Sequence, residues 1–257
     1  KAAAVLDEII TDGMDDYEKE LAVHDYIIYN VTYDEGSLSA IPNPAEHCDD
    51  PYGALINGKA ICKGYTTTFR MFMGMLSIPC GTVHSSDATG EEHAWNTVKL
   101  DGSWYYVDCT WDDPIPDSAA RPVIHTYFNV SREEIETDHV LPDGCPDTES
   151  AANSYYTRSA VKIADLGEIY GAAKDALAQG RRDFVLLFDE STGITLDGVD
   201  AIDDIYEPES KALEKKLNGL AAKMKKDGLA NNCFLDVRRV QTAEGIGLYV
   251  EMHLFTD

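Results

Sequence analysis

Apolar and polar positions in the middle of the chain predict a helix followed by antiparallel strands. The helix is indicated by apolar side chains at helical spacing, which are Tyr65, Phe69, Phe72 and Leu76. Ile78-Pro79 ends this pattern. Two alternating runs follow on either side of Asp101-Gly102, a strong signal for a hairpin with a two-residue loop in which Leu100 pairs with Ser103. A third strand over residues 81–85 is expected to lie beside this hairpin.

The register of this hairpin decides which side chains share a face of the sheet. With a two-residue loop, strand alternation places His93, Trp95 and Asp108 on one side, and the same count puts Trp111 on the other. His93 and Asp108 are then diagonal neighbours with Cβ atoms roughly 7 Å apart, a gap that an imidazole and a carboxylate can close together. A one-residue bulge would move the two onto opposite faces.

Cys62 stands where a glycine-bearing loop becomes the predicted helix. A cysteine at a helix N-terminus feels the positive end of the helix dipole, which favours the thiolate. A buried cysteine is usually only a small apolar residue, but Cys62 is followed by a histidine and an aspartate in hairpin register. The order therefore predicts Cys62 as nucleophile, His93 as base and Asp108 as the carboxylate that fixes the imidazole tautomer.

Three stretches resemble, in order, the motifs of the transglutaminase-like cysteine enzymes, in their bacterial branch. They are GKAICKGY at 58–65, HAWN at 93–96 and YVDCTWD at 106–112. Shorter pieces are similar to the same branch, namely HDY at 24–26, YGAL at 52–55 and YFNVS at 127–131, which leads to His139. The resemblance covers about residues 15–140. It implies an α+β fold of the papain/transglutaminase-like type, with the nucleophile helix packed on an antiparallel sheet.

The resemblance also implies a reaction, in which Cys62 attacks the amide carbonyl of a glutamine side chain or a peptide bond and forms a thioester. Water or an amine then takes the acyl group, and hydrolysis is preferred because it asks less of the site. The oxyanion needs the Cys62 N–H and one further donor, for which Tyr52 and Asn57 are candidates. Trp95 is the candidate residue for excluding water from the reacting Cys62 and His93. The alternative function is a non-catalytic protein- or cell-wall-binding module on the same fold.

This chemistry requires no metal and no organic cofactor, so we expect none. The sequence has no CxxC or HxxxH pair that would indicate zinc. The acidic stretches 112–117 and 197–204 lack the spacing of a calcium-binding EF-hand loop. His24 lies on an amphipathic helix pattern, and we interpret it as a hydrogen-bonded core histidine rather than a catalytic one.

Composition limits the classes of partner. The 257 residues are 44% hydrophobic and 26% charged, as in one large or two modest globular domains. No apolar run approaches the ~20 residues of a membrane span. The net charge of −25 disfavours nucleic acid and anionic lipid, and solubility is its simplest interpretation. The resemblance implies a protein or peptide substrate. The spacing of the six cysteines matches no disulfide framework.

Two expectations concern location and domain organisation. Because the chain starts at Lys1, we expect that an export segment has been trimmed and that the protein is extracellular or on a bacterial cell surface, with the cytoplasm as the alternative. A Pro-, Gly- and Ser-bearing stretch at 141–157 predicts a boundary between a catalytic domain (1–150) and a small α+β domain of unknown role (158–257). In the second, helices are predicted at 165–179 and 208–226, and strands at 184–188, 234–240 and 248–255.

Overall fold

The computed structural model describes residues 1–39, 45–113, 123–148, 150–163, 167–178, 183–188, 208–242 and 245–255. Most of the acidic stretch 112–117 and all of 197–204, which were weighed as calcium sites, lie outside the described residues. The chain divides into two compact units, Lys1–Ser154 and Tyr155–Asp257. Both combine helices with a sheet, so the α+β prediction is confirmed. Within the described residues, no helix is both long and apolar enough to cross a membrane.

Two of the helices described in the first unit begin at a capping box. The helices of this unit are α1 (Ala2–Ile9), α2 (Asp16–Asn30), α3 (Glu35–Ser39), α4 (Cys62–Met75) and α5 (Arg132–Ile135), with a π-helix at Gly53–Asn57. Helix α2 starts with a capping box, because the Asp15 carboxylate accepts the Glu18 N–H and the Glu18 carboxylate accepts the Asp15 N–H, each at 2.8 Å. At the start of α4, a Cβ on Gly64 would lie 2.7 Å from the Cys48 carbonyl oxygen. Only glycine fits there without displacing the backbone.

A five-stranded antiparallel sheet packs against α4 in the order β6-β5-β4-β3-β7. Its strands are β3 (Cys80–Asp87), β4 (Glu92–Leu100), β5 (Ser103–Val107), β6 (Phe128–Val130) and β7 (His139–Val140). Strands β4 and β5 form the predicted hairpin, with Leu100 opposite Ser103, and the loop residues Asp101 and Gly102 have φ of 50° and 86°. The prediction of a papain/transglutaminase-like core, in which the helix that begins at Cys62 packs on an antiparallel sheet, is confirmed.

A separate pair of two-residue strands lies just before α4. Strands β1 (Thr32–Tyr33) and β2 (Lys59–Ala60) run parallel, with Tyr33 opposite Ala60. Two backbone hydrogen bonds of 2.9 Å, from the Thr32 N–H to Gly58 and from the Asp34 N–H to Ala60, hold them together. This pairing brings the end of α2 beside the beginning of α4, and so places Tyr33 near Cys62.

The second unit has its own sheet, in the order β10-β11-β9-β8. Its elements are α6 (Tyr155–Ser159), β8 (Ala160–Ile163), α7 (Glu168–Ala178), β9 (Asp183–Phe188), α8 (Pro208–Lys226), β10 (Asn232–Thr242) and β11 (Gly245–Phe255). The predicted helices and strands are all present, with longer hairpin strands than expected. The pattern did not reveal α6 and β8, which are only five and four residues long. Its buried core includes Phe184, Leu186, Met224 and Met252.

Candidate active site

His93 lies between a carboxylate and a thiol in the first unit. Its Nε2 is 2.5 Å from the Asp108 Oδ2, and its ring also hydrogen-bonds the Cys62 side chain. Because the His93 Nε2 is the atom that contacts Asp108, Nδ1 is the ring nitrogen available to the Cys62 thiol. The hairpin supplies His93 at the start of β4 and Asp108 just after β5, and α4 supplies Cys62 as its first residue. The structure thus brings the three predicted residues together.

Burial and hydrogen bonding set the charges of this group. Burial alone would lower the pKa of His93, but the hydrogen bonds to Asp108 and Cys62 raise it to about 10. Burial alone would raise the pKa of Asp108, but hydrogen bonds from His139 and His93 bring it down to about 2. His93 is therefore an imidazolium at neutral pH, beside an ionised Asp108 that is only 1% exposed.

A second histidine, His139, contacts the other side of Asp108. Its Nε2 lies 3.0 Å from the Asp108 Oδ2, and its Nδ1 lies 2.6 Å from the Asp138 Oδ1. The Tyr127 hydroxyl donates to the other Asp138 oxygen at 2.5 Å. Sequence reasoning gave His139 no role at the site, although the family resemblance reached that residue. The missing signal is the pairing of β7 with β3, which places His139 opposite Asp87.

Two tryptophans enclose the pair of imidazoles. Trp95 is fully buried and stacks on His93, with ring centroids 5.7 Å apart, and it meets the edge of His139 at 4.8 Å. The prediction that Trp111 lies on the opposite face is wrong, because its ring is 5.3 Å from His93 and 4.3 Å from His139. The reason is that strand alternation ends at Val107. The chain then turns, with the Asp112 N–H bonded to the Asp108 carbonyl at 3.2 Å.

The two upstream candidates for the oxyanion donor lie on or beside the π-helix. Tyr52 is 52% exposed, and its ring centroid is 4.7 Å from that of His47. Asn57 is exposed at the last position of the π-helix. Their assignment as oxyanion donors stays a prediction. A residue that the sequence did not single out, Tyr33, lies near this site, and burial together with the nearby Cys62 and Asp108 raises its pKa to about 12.

A second His–Asp–His group lies in the same unit. The Asp25 Oδ1 is 3.0 Å from the His24 Nδ1 and 2.9 Å from the His125 Nε2, while the His24 Nε2 contacts the Asp112 Oδ2 at 3.0 Å. In this group, and in that of His93, Asp108 and His139, the ligand-type atoms lie within 4.8 Å of one another. Both could hold a metal ion by spacing, but hydrogen bonds already join each imidazole to its carboxylate. His24 is buried and hydrogen-bonded, so its interpretation as a core histidine is confirmed.

Residues 3–109 match the sequence profile of the transglutaminase-like superfamily. This segment, which is somewhat less than half of the chain, is thus similar to that superfamily. The matched segment contains Cys62, His93 and Asp108, and it ends before His139. The finer placement in a bacterial branch stays a prediction.

Two curated relatives match about half of the chain. Human kyphoscoliosis peptidase is 28% identical over 141 residues, which are 49% of this chain and 21% of the relative. The mouse protein of the same name is 25% identical over 134 residues, 48% of this chain and 20% of the relative. The chain thus spans about a fifth of their length.

Solved structures resemble the chain more distantly. A structure described as that of a TGase has a TM-score of 0.37 and 19% identity, over 63% of this chain and 37% of the other. A candidate cysteine protease from Cytophaga hutchinsonii has a TM-score of 0.34 and 19% identity, over 42% and 36% respectively.

Proposed function

We propose that the first unit is a cysteine-dependent enzyme that cleaves a protein or peptide amide through a thioester on Cys62. The observation that carries the proposal is His93, held by hydrogen bonds between the Cys62 thiol and the Asp108 carboxylate. Nucleophile, base and orienting acid are the three parts that such chemistry needs. The name of the relatives, peptidase, agrees with this class of reaction.

In the acylation step, the Cys62 thiolate attacks the carbonyl carbon, and the carbonyl oxygen becomes an oxyanion. The imidazolium of His93 gives its Nδ1 proton to the amine nitrogen as the C–N bond breaks, which leaves a thioester and a neutral imidazole. Asp108 keeps the ring oriented and stabilises its charged form. The high pKa of His93, about 10, keeps this proton available over the physiological range.

In the second step, neutral His93 takes a proton from a water molecule that attacks the thioester carbonyl. The C–S bond then breaks, which releases a carboxylic acid and restores the thiolate–imidazolium pair. An amine in place of water would give cross-linking. We favour hydrolysis, because it asks less of the site: cross-linking also requires that water be kept from the thioester while an amine enters.

A mixture of glutamine-containing peptides and proteins, incubated with and without a primary amine and analysed by mass spectrometry, tests the proposal. Hydrolysis predicts products that gain the elements of water and are unchanged by the amine. Cross-linking predicts amine adducts. The Cys62→Ala variant is the control for both, and it should give neither product.

The alternative, a non-catalytic protein- or cell-wall-binding module, makes the opposite prediction. Such a module would give no turnover, and a thiol-directed amide mimic would label Cys62 no faster than the other cysteines. Selective labelling of Cys62 without turnover of any peptide would instead indicate an enzyme whose substrate lies outside the set that was screened.

A further inference from the structure

Helix α2 and the chain just before β6 bring two imidazoles and a carboxylate to one point. The Asp25 Oδ1 lies 3.0 Å from the His24 Nδ1 and 2.9 Å from the His125 Nε2. All three atoms lie within 4.8 Å of one another. His125 is 100 residues from Asp25 along the chain, so the group is assembled only by folding. A search of the sequence for closely spaced zinc ligands therefore does not find it.

These distances fit a metal ion as well as they fit hydrogen bonds. Zinc binds an imidazole nitrogen and a carboxylate oxygen at about 2.0–2.2 Å, so neighbouring ligand atoms lie about 2.9–3.4 Å apart. Both contacts of the Asp25 Oδ1 fall in this range. A modest rotation of either ring would bring the two nitrogens to the same spacing. An ion at this point would replace the ring proton in each contact.

A second carboxylate, that of Asp112, supports His24 from the other side of its ring. The His24 Nε2 lies 3.0 Å from the Asp112 Oδ2, and both side chains are fully buried. A histidine that binds a metal normally donates its other ring N–H to a carboxylate, which fixes the orientation of the ring and strengthens the metal bond. With neutral imidazoles, Asp25 and Asp112 carry two negative charges, which one divalent cation would balance.

The group is open to solvent on one side. The Asp25 side chain is 34% exposed, while those of His24 and His125 are 0% and 2% exposed. An ion can therefore enter beside Asp25 and keep a water molecule as a fourth ligand. The group around Asp108 differs, because its carboxylate is only 1% exposed and its Oδ1 already accepts the Thr110 N–H at 2.9 Å.

We propose that His24, Asp25 and His125 form a binding site for a transition-metal dication of the zinc type. The two imidazoles disfavour calcium and magnesium, which prefer oxygen ligands. The ion has a structural role, since it joins helix α2 to the chain before β6 and, through Asp112, to the turn that follows Asp108. The thioester chemistry needs no metal, so this inference does not depend on the proposed function.

Zinc binding should be measured on the full-length Cys62→Ala protein, because the wild-type thiol and His93 would themselves attract zinc. After a chelator has removed bound metals, titration with zinc against a fluorescent zinc indicator should give one ion per chain. Loss of an outer contact usually weakens metal binding by about 10–100-fold, so adding His125→Gln or Asp25→Asn should weaken it by about a hundredfold or more. His84→Gln, which changes an exposed histidine of β3, is the matched control and should leave the affinity unchanged.

Cobalt gives a readout that does not depend on the folding of the ligand variants. Co²⁺ bound to the Cys62→Ala protein should show visible d–d absorption without the sulfur-to-cobalt charge-transfer band of an ion held by cysteine. It should also shift or broaden the ring NMR signals of His24 and His125 rather than that of His84. Zinc should raise the melting temperature of the Cys62→Ala protein, but not after His125→Gln has been added.

Three results would overturn the site. They are the absence of zinc binding at micromolar concentration, a sulfur band in the cobalt spectrum, and zinc affinity that is undiminished by His125→Gln or by Asp25→Asn. A fourth is loss of binding on addition of His139→Gln with the His125→Gln protein unaffected, which would assign the ion to the group around Asp108 instead.

Discussion

Two groups in the transglutaminase-like unit share one pattern, in which two imidazoles meet a single carboxylate oxygen. In the first, His93 and His139 contact the Asp108 Oδ2. In the second, His24 and His125 contact the Asp25 Oδ1. The residue types and distances are nearly the same. Their surroundings differ. His93 also hydrogen-bonds the Cys62 side chain, whereas His24 also hydrogen-bonds a second carboxylate, that of Asp112.

That carboxylate, Asp112, suggests what the second group does. It accepts the Tyr127 N–H at 3.0 Å, and the Asp112 N–H donates to the Asp108 carbonyl at 3.2 Å. The second group, through the contact of His24 with Asp112, therefore stabilises the turn that follows Asp108. From this comparison we infer that a histidine–aspartate pair of this kind is reactive only where it also reaches a nucleophile. Four predictions test this division of roles.

The largest effect is expected for Cys62→Ala. Removal of the nucleophile should lower kcat/KM by about 10⁵-fold or more, since enzymes of this type retain only the contribution of binding and the oxyanion site. The fold should be kept, because the side chain is small and partly exposed. Peptide turnover and thermal unfolding of the same sample provide the measurement. Residual activity within about tenfold of wild type would show that Cys62 is not the nucleophile.

Asp108→Asn should come next, with a loss of about 10⁴-fold, because an amide supports the wrong tautomer of His93. The pH dependence of kcat/KM gives a second test of Asp108. Acylation needs the imidazolium, so the wild-type kcat/KM should fall as the pH rises through about 10, the pKa of His93. Asp108 is the main group that raises this pKa, so the alkaline fall should move to lower pH in the variant. An unmoved profile would mean that Asp108 does not control His93.

Local signals allowed much of this site to be predicted from the sequence. The Asp101-Gly102 loop determines the register of the hairpin, and that register brings His93 to Asp108. The start of α4 at Cys62 follows from the helical spacing of its apolar residues. Each of these signals lies within a few residues of the feature that it predicts. It can therefore be recognised without knowledge of the tertiary structure.

The parts that could not be predicted depend on contacts between distant residues. His139 reaches Asp108 through the pairing of β7 with β3, across about fifty residues of chain. Tyr33 lies near Cys62 because two strands of only two residues each pair with one another, and such strands are too short to give an alternating pattern. Trp111 was misplaced because alternation was extended beyond Val107, where the chain turns. In all three cases tertiary packing decides the outcome.

The third prediction concerns His139→Ala, which removes one hydrogen bond to Asp108. A hydrogen bond to a charged group contributes about 1.5–3 kcal/mol, so kcat/KM should fall by about tenfold to a hundredfold. Loss of this bond should also raise the pKa of Asp108 from about 2, so activity should be lost at a higher pH on acidification. His139→Gln keeps a donor and should recover part of the rate. A lower melting temperature with no change in the acid limb would assign His139 a purely structural role.

The smallest effect on activity is expected for His125→Gln, the matching change in the second group. It weakens the hold on Asp25, whose side chain is 34% exposed, but it leaves every contact of His93 in place. We therefore expect kcat/KM within threefold of wild type and a decrease of about 1–3 kcal/mol in the free energy of unfolding.

Tryptophan fluorescence during urea unfolding can measure that decrease, because Trp95, Trp104 and Trp111 are the only tryptophans of the chain and all lie in the first unit. His139→Gln, the same substitution in the first group, is the matched control and should change activity more than His125→Gln does. If His125→Gln lowered kcat/KM as much as His139→Gln while the protein remained folded, the two groups would act on the reaction together. The distinction between a reactive and a supporting group would then be lost.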